Sequence, residues 1–86
     1  MARALTIQRT IIPAHERKQY MARLRERQAY YARANCSLRI FEEAALPGAF
    51  IEFTEADDPH TLAAAHVGAP GRVLDPARVY QQVEIP

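Results

Sequence analysis

"PGAFIEFTEADDPHTLAAAH", residues 47–66, sets out a turn, a strand and a helix start in succession. Pro47 and Gly48 fit the two central positions of a type II turn, because proline presets the first backbone angle and glycine accepts the positive second one. From Ala49 to Glu55, Ala49, Ile51 and Phe53 alternate with Phe50, Glu52 and Thr54, the period of two expected of a strand. Asp57 or Asp58 can then cap a helix with Pro59 at its first position, where a missing N–H costs nothing. The alanine-rich run that follows predicts a short helix over 59–67.

Reading outward from that stretch gives the rest of the chain. Ser37 to Glu43 places Leu38 and Ile40 against Arg39 and Phe41, a second strand joined to Ala49–Glu55 as a hairpin. Upstream, Ala14 to Ala34 contains neither Gly nor Pro, and Tyr20, Leu24 and Tyr31 fall on one helical stripe flanked by Met21 and Gln28. Asn35 can supply the left-handed residue that ends this helix. Leu5 to Ile12 alternates as a first strand halted at Pro13, and Arg78 to Ile85 alternates as a last one. The order β-α-β-β-α-β is that of the ferredoxin-like arrangement, an α+β class in which two helices cover one face of a four-stranded antiparallel sheet. Residues 1–86 read as a single domain of this kind.

Composition narrows the functional classes. A chain of 86 residues builds one core, and its net charge of +1 argues against a dedicated nucleic-acid binder. The opening MARALTIQRT is broken by Arg3 and Arg9, so it has neither the apolar run of a secretory signal nor that of a membrane span, and a cytoplasmic location without membrane contact is expected. Cys36 is the sole cysteine, which excludes an intrachain disulfide and a cysteine-based zinc cluster. Charge is unevenly placed: residues 1–41 hold nine Lys/Arg and two acids, residues 42–86 two Arg and eight acids. The two halves should attract one another, within one chain or between two.

If the more apolar side of each strand faces the helices, the open side collects Thr6, Gln8, Thr10, Arg39, Phe41, Phe50, Glu52, Thr54, Arg78, Tyr80, Gln82 and Glu84. Aromatic rings among charges on an uncovered sheet predict a partner. A second copy of the chain is the simplest one, because a two-fold interface uses one patch twice. Gln8, Arg39, Phe41, Phe50, Glu52, Tyr80 and Gln82 are accordingly the candidates for the dimer face or a ligand beside it. "GAFIEF" also matches the tail of the strand with which RNA-recognition modules stack bases. Yet Gly48 stands where the first stacking aromatic belongs, and the basic residues lie along the first helix rather than around the sheet. RNA binding therefore ranks third and nucleic acid is not expected as a partner.

Pro47, Gly48, Phe50, Ile51, Phe53, Asp57 or Asp58, Leu62 and His66 follow an order that resembles the antibiotic-biosynthesis-monooxygenase family of dimeric α/β-barrel proteins. The resemblance in motifs covers about twenty residues, and in element order the whole chain. It implies two sheets packed face to face and a small-molecule pocket between each sheet and its helices or at the dimer seam. It also implies, for some members, oxidation of polycyclic aromatics without a cofactor. The asparagine, tryptophan and histidine used by haem-degrading members are not reproduced. The first strand offers Thr6, Gln8 and Thr10, Ala56 stands nearest the tryptophan position, and His66 is displaced from the expected spacing. Those departures count against haem chemistry, and no cofactor is expected.

His66, Glu52 and Tyr80 are the candidate catalytic groups. His66 can serve as a general base, or as a partner of the helix dipole. Glu52, if a dimer buries it, should gain basicity, unless Arg39 or Arg78 neutralises it across the sheet. His60 and His66, six apart on a helix, diverge too far round its axis to share a metal, so no metal site is expected. Cys36 follows a helix C-terminus, whose negative end disfavours a thiolate. The leading expectation is a homodimer that binds or oxidises a small apolar or aromatic molecule, and the alternative is a non-enzymatic dimeric module without a ligand.

Overall fold

The computed structural model describes residues 2–71 and 73–86. Strand β1 (Ala4–Ile11) leads through a 3-10 turn, Ala14–Glu16, into helix α1 (Arg17–Arg33). Strands β2 (Ser37–Glu42) and β3 (Ala49–Ala56) follow, then helix α2 (Pro59–Val67) and strand β4 (Tyr80–Gln81). The sheet order is β2-β3-β1-β4 with every neighbouring pair antiparallel. This α+β arrangement of four strands and two helices is compatible with the ferredoxin-like order. No helix among the described residues is long and apolar enough to cross a membrane.

The punctuation follows the residues expected to supply it. Asn35 has φ 62°, the Cys36 N–H donates to Tyr31 O at 2.8 Å, and the Asn35 N–H donates to Ala32 O at 3.3 Å. This is the Schellman arrangement, in which one left-handed residue lets two backbone donors satisfy carbonyls of the last helical turn. In the hairpin, Ala49 N–H donates to Leu46 O across Pro47 and Gly48, and Gly48 has φ 93°. Gly48 is doubly required, because a Cβ there would lie 2.6 Å from Ile12 O. Asp58 caps α2 by accepting from the Thr61 N–H at 2.8 Å, with Pro59 opening the helix as anticipated.

Two readings are corrected by the structure. The last strand is two residues long, not the eight of Arg78–Ile85, and Val83 and Ile85 are 80% and 93% exposed. The faces of β1 and β3 are also exchanged. Thr6, Phe50, Glu52, Thr54 and Ala56 are buried under the helices, while Ile11, on the supposedly covered side, is 70% exposed. Only β2 presents its more apolar side inward, through Leu38 and Ile40. The physical reason lies in the helices, whose sheet-facing surfaces carry Tyr20, Arg27, Tyr31 and His66. Those groups make hydrogen bonds that the polar side of the strands can satisfy and the apolar side cannot.

The core is therefore divided. One cluster joins Ala4, Tyr31, Leu38, Ala56, Leu62 and Ala65, while a second joins Tyr20, Leu24 and Phe50. Tyr20 and Phe50 pack with ring centroids 4.8 Å apart. The open face carries Leu5, Ile7, Ile51, Phe41 and Phe53, with Ile7 opposite Phe53 across the β1/β3 ladder and Phe41 opposite Ile51 across β2/β3. The Phe41 and Phe53 rings meet edge to face at 5.5 Å. The expected attraction between the basic and acidic halves is met within the chain. Arg3 bonds Glu55 and Asp57, Arg17 bonds Glu42, Arg27 bonds Glu52, and Arg39 bonds Glu55.

Candidate functional site

Between the two apolar clusters lies a band of buried polar side chains. Thr6, Arg27, Glu52, Thr54 and His66 are each less than a tenth exposed. Burial of such groups is costly unless they bond one another, and nearly all of them do. Tyr20 OH donates to Glu52 Oε2 at 2.8 Å, and Arg27 Nη1 donates to Glu52 Oε1 at 2.5 Å. Both oxygens of a carboxylate that is 2% exposed are thus engaged. Burial, followed by the bond to Glu52, raises the Tyr20 phenol well above its ordinary range.

A second network stands beside the first. Thr6 Oγ1 lies 2.8 Å from His66 Nε2, and Tyr31 OH lies 2.8 Å from His66 Nδ1. Burial, reinforced by the nearby charge of Arg27, lowers the His66 pKa and favours the neutral ring. A neutral imidazole has one N–H and one lone pair, so one hydroxyl must donate to the ring while the other accepts from it. Changing the tautomer reverses the direction of that chain. Burial raises the Tyr31 phenol, with Arg27 opposing the rise.

Above the first network the sheet, α1 and the segment after α2 enclose a half-open cavity of about 400 Å³. Its lining is mixed: Gln8, Tyr20, Arg27 and Glu52 are joined by the charged Arg23 and Glu26, while Ile12, Leu24 and Leu74 are apolar. Gln8 Oε1 accepts from the Leu74 N–H at 2.9 Å, tying Leu74 to β1. Gly71, with φ 81°, sets the same segment against α1, and a Cβ on it would come within 3.9 Å of Arg27 Cδ. A void of about 10 Å³, lined by Arg27, Glu52, Thr6 and His66 among others, separates the two networks.

Of the residues singled out from the sequence, Gln8 and Glu52 line this cavity, and His66 lies beyond the small void. Phe50 is buried under Tyr20. Glu52 is covered within one chain, and its cation is Arg27 rather than Arg39 or Arg78. Arg39 and Phe41 belong to the open face, where Arg39 bonds Glu55 and Phe41 is 53% exposed. Tyr80 pairs opposite Leu5 in β4, 47% exposed, and Gln82 donates its N–H to Arg3 O at 2.8 Å, so neither reaches the cavity. His60 is exposed on α2. Among the described residues no three His, Cys, Asp or Glu side chains cluster as metal donors. Cys36 is buried, and that burial, ahead of the charge on Asp58, raises its thiol pKa.

The sequence reading placed Tyr20 on the inward stripe of α1 but missed the inward roles of Arg27 and Thr6. Arg27 had a visible signal, since Tyr20, Leu24, Arg27 and Tyr31 are spaced four, three and four apart on one helical face. Compared with known protein families, with curated proteins and with solved structures, the chain matches none.

Proposed function

We propose that this chain is a homodimer of the α/β-barrel type that binds a small apolar or aromatic molecule in the cavity between its sheet and α1. The observation that carries the ligand reading is the buried Tyr20–Glu52–Arg27 network in the lining of a cavity of about 400 Å³. Small-molecule sites typically combine apolar walls with a few convergent polar groups in volumes of roughly 300–1,000 Å³. The dimer reading is supported by the open sheet face, whose Ile7, Ile11, Phe41, Ile51 and Phe53 form a more apolar surface than the strand patterns alone suggested. Folding one chain leaves this surface in water, and a two-fold copy would cover it with an identical one.

The alternative, a dimeric module without a ligand, is favoured by one feature. Both Glu52 oxygens already have donors inside the chain, so the network is largely complete as a structural device. Native mass spectrometry of the purified protein separates the readings. A species of twice 9.7 kDa that takes up the bicyclic hydrocarbon tetralin or its ketone 1-tetralone supports the leading one. A dimer that takes up neither supports the module, and a monomer at micromolar concentration overturns both.

A further inference from the structure

Strand β2 stands at one edge of the sheet, paired with β3 on its inner side. The Glu43 N–H donates to Ala49 O at 2.9 Å, so the alternation of an antiparallel ladder turns the backbone groups of Leu38, Ile40 and Glu42 away from β3. Gln28, reaching from α1 to Leu38 O at 3.3 Å, agrees with that direction. An edge of this kind is a template for a further strand. Beside it, between β2 and α1, runs a groove of about 430 Å³. Its lining is mixed, with Met21, Leu38 and Ile40 apolar and Arg17, Arg25 and Glu42 charged. Met21 and Ile40 are only partly buried there.

The chain carries a segment suited to that edge. Strand β4 ends at Gln81, the Gln82 N–H still donates to Arg3 O at 2.8 Å, and beyond it Val83 and Ile85 are 80% and 93% exposed. Gln81 stands opposite Ala4, which is fully buried on the helix side, and Tyr80 opposite Leu5 on the open side. Counting on by the strand period of two places Val83 and Ile85 on the helix side and Glu84 on the open side.

Within one chain the two features do not meet, because β3 and β1 lie between β2 and β4. Every neighbouring pair is antiparallel, so β2 and β4 run in opposite directions. When two such sheets close into a barrel about a two-fold axis parallel to the strands, the β4 edge of each copy meets the β2 edge of the other. The pairing is then antiparallel, and the helix side is outermost in both copies. Val83 and Ile85 fall on the side of the α1/β2 groove, and Glu84 on the side of β2 that carries Arg39, an opposite charge.

Resting on the dimer reading above, we infer that residues 82–86 form an exchanged arm, which adds to the β2 edge of a second copy and lays Val83 and Ile85 against that copy's groove between α1 and β2.

The test uses a dimer mixed from ¹³C-labelled and unlabelled full-length chains. Isotope-filtered NOEs are expected from the Val83 and Ile85 methyl groups of one chain to the Met21 and Ile40 side chains of the other. In sedimentation equilibrium, Val83→Ser combined with Ile85→Ser should raise the dimer dissociation constant about a hundredfold, as removing two apolar side chains from each of two arms warrants. Both side chains are exposed within one chain, so the substituted monomer keeps its fold. A dimer without these intermolecular NOEs, or one whose dissociation constant is unmoved by the double change, would overturn the arm and leave the contact between sheet faces standing. An unsubstituted chain that is monomeric at micromolar concentration overturns the dimer reading as well.

Discussion

Arg27 and Glu52, separated by 25 positions in sequence, are joined by a 2.5 Å bond with side chains 10% and 2% exposed. The pair bridges α1 and β3 beneath the helix. A buried ion pair of this kind is weak evidence for stability, yet it is expensive to break from one side.

Glu52→Gln should therefore destabilise the fold by about 3 kcal/mol, because the Arg27 charge is left buried without its counterion. The double replacement Arg27→Met with Glu52→Leu should cost less than Arg27→Met or Glu52→Leu alone. Urea denaturation of the three variants closes the cycle, and strictly additive losses would contradict the coupling.

His66 sets a second prediction. Its folded-state pKa lies below the ordinary 6.5, chiefly through burial and secondarily through Arg27. The unfolded chain then binds the proton first as pH falls, so the stability contributed by the neutral ring is intact above 6.5 and declines as pH drops toward the folded value. Urea midpoints should fall between pH 7 and pH 5.5, with a flatter profile for His66→Gln. An NMR titration that places the His66 ring above 6.5 in the native protein would contradict this sign.

Gly48→Ala should destabilise the hairpin by roughly 2 kcal/mol or more, since it strains a backbone at positive φ. The added Cβ would also press on Ile12 O at 2.6 Å, a backbone atom that cannot rotate away. A thermal melt of the variant within a degree of the unsubstituted protein would show that this turn relaxes freely.

On the open face, Phe53→Asp should abolish dimerisation while leaving the monomer folded. Phe53 lies across from Ile7 and edge to face with Phe41, so a carboxylate there would be desolvated at the centre of the proposed contact. Sedimentation equilibrium at micromolar concentration should give a single 9.7 kDa species for the variant and twice that mass for the unsubstituted chain.

Local chemistry was legible where one residue decides one backbone feature. Asn35 ends α1, Pro47 and Gly48 turn the hairpin, and Asp58 with Pro59 begins α2, each through an interaction made within a few positions. The span of α2, Pro59–Val67, agrees with the expected 59–67 because the cap at Asp58 and Gly68, which follows the last helical residue, both act locally. For the last strand, by contrast, alternation in Val79, Val83 and Ile85 was insufficient. Only Tyr80 and Gln81 find ladder partners, opposite Leu5 and Ala4.

The order of strands and helices, the turn and cap positions and the balance of opposite charges were determined by the sequence itself, because each arises from neighbours in the chain or from summed composition. The side of β1 and β3 that is buried was decided only by tertiary structure. Alternation marks two faces but not which one is covered, and the outcome depended on Tyr20, Arg27 and His66 arriving from the helices to satisfy Glu52 and Thr6. Once those bonds form, the polar side can be buried at tolerable cost, and the apolar side, with Phe41 and Phe53, is left facing outward.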